Sequence, residues 1–137
     1  MRQMGHEKFS AVGWSDGGIT GLVAASRHPD AIDKLVVWGA NAHVTDKDME
    51  MLDKVSDVGQ WSERMRAPME AVYGKEGFPK LWAEFNRGFR EIKSELEGKF
   101  CDLDAITCPT FVIHGDKDVM VDPIHPEHLR ANIKGSR

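Results

Sequence analysis

Phe9-Ser10-Ala11-Val12-Gly13-Trp14-Ser15-Asp16-Gly17-Gly18 decides how this chain folds. Phe9–Val12 reads as a short apolar strand, a Gly-x-Ser-x-Gly turn follows at 13–17, and Ile19 to Arg27 reads as a helix. Strand, tight turn and helix in that order are the context a nucleophile elbow requires. Ser15 then stands at the tip of the turn, where strained backbone is expected. Gly13 and Gly17 lack a Cβ, so strand and helix can approach closely on either side of it. The hydroxyl is thereby raised above the sheet at a helix N-terminus, whose unpaired N–H groups favour negative charge. The backbone N–H of Asp16 is the candidate for half of an oxyanion hole. The rival reading of the glycines, a dinucleotide fingerprint, fails because Ser15 occupies its middle glycine position.

Outward from the elbow, Ile19, Leu22 and Val23 form a helical apolar stripe, and Gly21, Ala24 and Ala25 permit close packing on a sheet. Pro29 ends that helix. Leu35-Val36-Val37-Trp38 is a continuous apolar run closed by Gly39, the pattern of a parallel strand covered on both faces. From Asn41 to about Lys99 the periodicity is helical. Thr45 can cap a helix carrying Met49, Leu52 and Val55, with Asp46 and Asp48 in its first turn. A second helix is expected over about Gln60–Ala67, with Pro68 opening a third. Phe78, Leu81, Trp82, Phe85, Phe89, Ile92 and Leu96 repeat at three- and four-residue steps. That stripe reads as core packing, or as the inner face of a lid. Pro109 then introduces a buried strand, Thr110–His114, with Gly115-Asp116-Lys117-Asp118 as the loop at its end. A last helix is expected from about Pro126 to Ile133.

The expected architecture is therefore α/β, with parallel strands, flanking helices and a helical cap inserted between them. Residues 1–40 form a β-α-β core with the elbow, 41–104 the cap, and 105–137 the final core strand, acid loop and helix.

Of 137 residues, 41% are hydrophobic and 29% charged, which suits a globular domain. A net charge of −4 without a basic patch argues against nucleic-acid binding. No apolar run approaches the ~20 residues of a membrane span, and Met1–Lys8 has neither a secretory apolar region nor the character of a transit peptide. Cys101 and Cys108 fit a reducing compartment and match no zinc spacing. An intracellular location, mitochondrial or cytoplasmic, is expected, with no metal or organic cofactor.

A serine nucleophile needs a base, and the base needs an acid to orient it. The order in α/β hydrolases is Ser, then Asp or Glu, then His. Ser15 and Asp118 fill the first two places, with Asp116 the rival acid. For the third, a helix, a loop and a strand needing roughly 20–24 residues should precede the histidine loop, and only residues 119–137 follow Asp118. His125 and His128 lie at the start of the last helix, His114 sits at a strand end, and His6, His28 and His43 lack context. An earlier strand, whose loop would supply the second oxyanion donor, is not seen before Phe9. The sequence is expected to be the interior of a larger domain, cut at both ends.

These residues resemble the α/β-hydrolase superfamily, and more closely the valacyclovir hydrolase (biphenyl hydrolase-like) proteins, which are serine esterases of amino-acid esters. The resemblance rests on Gly-Trp-Ser-Asp-Gly-Gly-Ile-Thr at 13–20, Val-Val-Trp-Gly-Ala-Asn-Ala at 36–42, Trp-Ser-Glu-Arg at 61–64 and His-Gly-Asp-Lys-Asp at 114–118. It extends from Phe9 to Arg137. It implies a nucleophile at Ser15, an acid at Asp118 and a carboxylate for the substrate amine at Asp16. A small-molecule ester is the implied substrate. The rationale for Asp16 is electrostatic: a carboxylate beside the nucleophile favours an acyl group carrying an ammonium.

Overall fold

The structure is a computed structural model that describes residues 1–137. Three strands, β1 (Phe9–Trp14), β2 (Ile32–Trp38) and β3 (Thr110–Ile113), form one parallel sheet in the order β1-β2-β3. Helix α1 (Asp16–Arg27) connects β1 to β2. Between β2 and β3 come α2 (Asp46–Lys54), α3 (Glu63–Tyr73) and α4 (Gly77–Glu95), and α5 (Ile124–Asn132) follows β3. The chain divides into two compact units, residues 1–43 with 99–137, and residues 44–98.

In the first unit the pairing register aligns Ala11, Leu35 and Thr110 across the sheet, and Gly13, Val37 and Val112 two residues on. This face is buried. Leu22 and Ala25 of α1 and Leu129 and Ile133 at α5 join Leu35 and Val37 in one apolar core. Full burial of each large aliphatic side chain there contributes about 1.5–3 kcal/mol. The intervening residues point the other way, because successive strand side chains alternate faces. Val12, Val36 and Phe111 form one row of that second face, and Trp14, Trp38 and Ile113 the next.

The second face corrects the expectation for β2. Val12 is 79% exposed, Trp14 71%, and Trp38 and Phe111 52% each. The run Leu35–Trp38 thus buries Leu35 and Val37 on one face and leaves Trp38 half open on the other. An open patch of aromatic and β-branched side chains attracts apolar ligands. The purified 137-residue chain is accordingly expected to enhance the fluorescence of 1-anilinonaphthalene-8-sulfonate at neutral pH, and Trp38→Lys to reduce that enhancement. No dye response from the folded chain would contradict the exposed face.

At the outer edge of β3, the Val112 N–H donates to the Arg137 carbonyl (2.7 Å) and the Arg137 N–H to the Thr110 carbonyl (3.1 Å). The two bonds of Arg137 flank Phe111, reaching residues two apart on β3, which is the bonding of a parallel neighbour.

The second unit is helical. Thr45 caps α2 as expected: its hydroxyl accepts from the Asp48 N–H (3.1 Å), and the Asp48 carboxylate accepts from the Thr45 N–H (2.7 Å). Both sides of a capping box are made, with Asp in place of the usual Glu. Pro68 does not open a helix. It lies inside α3, where it forfeits one hydrogen bond, and α3 starts instead at Glu63 and buries no residue. The stripe on α4 packs as a ladder of rings, Phe78, Trp82, Phe85 and Phe89, with Trp61 against its first two members. The indole N–H groups of Trp61 and Trp82 both donate to the Val55 carbonyl, at 2.9 Å each. That shared acceptor gives both half-buried donors a partner.

Candidate active site

β1 ends at Trp14 and α1 begins at Asp16, so Ser15 alone makes the turn. Its backbone sits at φ 53°, ψ −123°. For a residue with a Cβ this conformation costs about 1–3 kcal/mol and persists only where its surroundings impose it. The imposing contacts are visible. The Ser15 N–H donates to the Trp38 carbonyl (2.9 Å), tying the turn to β2. Its own carbonyl accepts from Gly18 (2.8 Å) and Ile19 (3.1 Å), starting α1. A Cβ on Gly13 would collide with the Gly17 carbonyl and lie 2.6 Å from the Gly18 nitrogen. Gly17, expected to share this role, faces open space. Gly18 takes it over, since a Cβ there would stand 2.7 Å from the Ala40 Cβ. Although Ser15 occupies the N-cap position of α1, its hydroxyl makes no capping bond. Thr45 spends its hydroxyl on a cap; Ser15 does not.

Asp16 is the first residue of α1, so its N–H is among the first-turn donors that have no acceptor within the helix. The residue is open to solvent, yet partial burial of its carboxyl pushes its pKa above the ordinary carboxylate value by penalising the charged form.

Asp118 lies in the loop after β3. Its N–H donates to the Gly115 carbonyl (3.0 Å), and its Oδ1 accepts from the N–H groups of Met120 (2.9 Å) and Val121 (3.0 Å). The other oxygen, Oδ2, lies over Gly39, 3.4 Å from where a Cβ on that glycine would be. The Trp14 indole nitrogen stands 3.7 Å from the same point. Gly39 has φ +55° and donates its N–H to the Ile113 carbonyl (3.0 Å). The Ser15–Trp38 and Gly39–Ile113 bonds thus stitch the carboxyl ends of β1, β2 and β3 together, with Ser15 at one end and the Asp118 loop at the other. Chemistry in open α/β sheets collects at this edge. Asp116 is exposed in the same loop. Gly39 was missed as a site residue; the signal for it is a glycine closing an apolar strand.

The histidines divide plainly. His125 is fully buried; its Nδ1 accepts from the Ala42 N–H (3.3 Å), and its Nε2 is 3.2 Å from the Asn41 side-chain nitrogen. His128 packs on His43 with ring centroids 4.6 Å apart. His114 follows β3 directly, and its Nε2 is buried without a hydrogen-bond partner. His6 and His28 are exposed.

The parallel sheet, the strained serine between β1 and α1 and the carboxylate loop after β3 define one class of architecture, part of an α/β-hydrolase fold. The model of the α/β hydrolase fold matches residues 1–67. The chain is similar to the protein named serine hydrolase BPHL of Homo sapiens, at 42% identity over 139 residues, and to its Mus musculus counterpart at 41%. The matches take in 100% of this chain and 48% of each relative, so it spans about half the length of the curated relatives it matches. Among solved structures, the meta-cleavage product hydrolase of Pseudomonas fluorescens superposes with a TM-score of 0.72 at 18% identity, covering 100% of this chain and 57% of that one. A hydrolase of Pseudomonas aeruginosa gives 0.65 at 21%, covering 99% and 57%. These two likenesses speak for the fold.

Proposed function

We propose that the protein carrying this sequence hydrolyses carboxylic esters, α-amino-acid esters in particular, through an acyl intermediate on Ser15. Asp118 orients the histidine that takes the Ser15 proton and returns it to the leaving group. The Asp16 N–H stabilises the oxyanion, and the Asp16 carboxylate receives the substrate ammonium. One observation carries the reading: a serine, not a glycine, holds φ 53° at the junction of β1 and α1 with its hydroxyl unused. Strain kept at one nucleophilic side chain signals a functional turn. The similarity to proteins named serine hydrolase supports the reaction class. A fluorophosphonate probe on the full-length protein should modify the peptide containing Ser15, and modification of any other residue in its place would overturn the assignment.

The Asp16 role has its own test. Asp16→Asn is expected to raise KM for an α-amino-acid ester about 10-fold or more, equivalent to about 1.4 kcal/mol of lost ammonium binding. The neutral des-amino ester should change by less than about 3-fold. Equal effects on both esters would remove Asp16 from substrate selection. The raised pKa also fixes a sign for stability. A carboxyl whose folded pKa lies above its unfolded value stabilises the fold while protonated, and that contribution is lost as pH rises through the folded pKa. Asp16→Asn should therefore be slightly more stable than the parent at pH 7, by a few tenths of a kcal/mol given its exposure. The difference should vanish in melts near pH 3.

A second reading concerns the 137 residues alone. His125 is committed to Asn41 and Ala42, and His128 to His43, so neither histidine after Asp118 is presented as a base. The isolated chain is accordingly read as incompetent for turnover; ester hydrolysis by it that disappears in Ser15→Ala would reverse this.

A further inference from the structure

We infer that His125 is a positioning residue for Asp118, clamping the acid loop onto the exit of β2. The inference rests on the proposed role of Asp118 for its catalytic consequence, but its geometry stands independently. The loop after β3 and the first turn of α5 meet the segment Gly39–Ala42 at two places. At the first, Oδ2 of Asp118 lies over the bare Cα of Gly39. At the second, seven residues along the chain, His125 reaches the same segment through the Ala42 N–H and the Asn41 side chain. Between them, Asp118 turns the loop by accepting the Met120 and Val121 N–H groups on Oδ1. One carboxylate oxygen is thus spent on the loop, and Oδ2 is the oxygen left to face an imidazole N–H.

A leucine would fill the His125 site with less desolvation, so a fully buried imidazole needs another reason. Its acceptor nitrogen supplies one, because it fixes α5 against a particular backbone N–H and an apolar side chain could slide past it. His43 packs edge-on against the His125 ring at 5.5 Å, narrowing the ring's freedom further. Displacement of α5 by a fraction of an ångström would swing Oδ2 off Gly39, and reaction rates fall steeply with such errors.

The test uses the full-length protein with three variants. His125→Phe keeps an aromatic ring and removes both nitrogens. His125→Asn restores an acceptor at the Nδ1 position. Ser15→Ala reports on the proposed function itself. In His125→Phe, amide exchange at Met120 and Val121 should accelerate at least 10-fold relative to Val37 and Val112 in the same sample. The kcat for ester hydrolysis should fall at least 10-fold with KM within about 2-fold, and His125→Asn should recover most of both. Unchanged relative exchange at Met120 and Val121, or uniform acceleration at all four amides, would overturn the clamp and leave His125 a packing residue. Persistence of turnover in Ser15→Ala would instead overturn the proposed chemistry, while the exchange result would still decide the clamp.

Discussion

Ser15→Ala in the full-length protein is expected to lower ester turnover by about 10³-fold or more, the usual cost of removing a nucleophile whose base and acid act with it as a unit. Its effect on stability should be small, because the hydroxyl caps nothing and alanine inherits the same strained backbone. Ser15→Gly separates the two roles. It is equally inactive in expectation, but glycine occupies φ 53°, ψ −123° without a Cβ penalty and should be about 1 kcal/mol more stable than the alanine variant. Urea denaturation of the pair measures this directly. If the glycine variant is no more stable, the turn is not storing strain, and the observation behind the proposed function loses its force.

Gly13→Ala should have the largest effect on folding. The added methyl would run into the Gly17 carbonyl and the Gly18 nitrogen. Those are backbone atoms of the elbow and first turn of α1, so no rotamer change relieves the contact. Overpacking that side chains can absorb costs about 1–3 kcal/mol; a backbone collision should exceed that range and consume much of a domain's ~5–15 kcal/mol stability. In whatever fraction folds, α1 must tilt away, carrying the Asp16 N–H with it, and fluorophosphonate modification should slow at least 100-fold. Gly17→Ala is the matched control. It opens on free space within a helix, where alanine is the better helix former by up to about 1 kcal/mol. Comparable losses from both substitutions would show that the tight contact at Gly13 is not what shapes the turn.

The same contrast shows how far the residues could be read in advance. A Gly-x-Ser-x-Gly turn announces that strand and helix come close, yet it does not say which glycine bears the contact. Gly13 does, and Gly18 shares the role expected of Gly17, because the helix rotates one glycine toward Ala40 and the other to solvent. The apolar run Leu35–Trp38 identified a parallel strand correctly and its coverage incorrectly. Hydrophobicity measures what a strand can bury, whereas what lies over Trp38 depends on segments distant in the chain. Pro68 misled for a related reason. An exposed helix with no buried residue tolerates a missing hydrogen bond, so α3 runs through it.

By itself, the sequence determined the local elements whose causes are local: the elbow turn from its glycines, the α2 capping box from Thr45 and Asp48, the aromatic ladder of α4 from its helical spacing, and the loop carrying Asp116 and Asp118 after β3. It also singled out Ser15, Asp16 and Asp118. Only the tertiary structure decided what those residues meet. The strain at Ser15 arises from bonds to Trp38 and Gly18, the free oxygen of Asp118 from its seat on Gly39, and the commitment of His125 from Asn41 and Ala42. Such contacts join positions up to 84 residues apart. No periodicity or propensity encodes them, because they exist only once parallel pairing has brought the three strand ends to one edge.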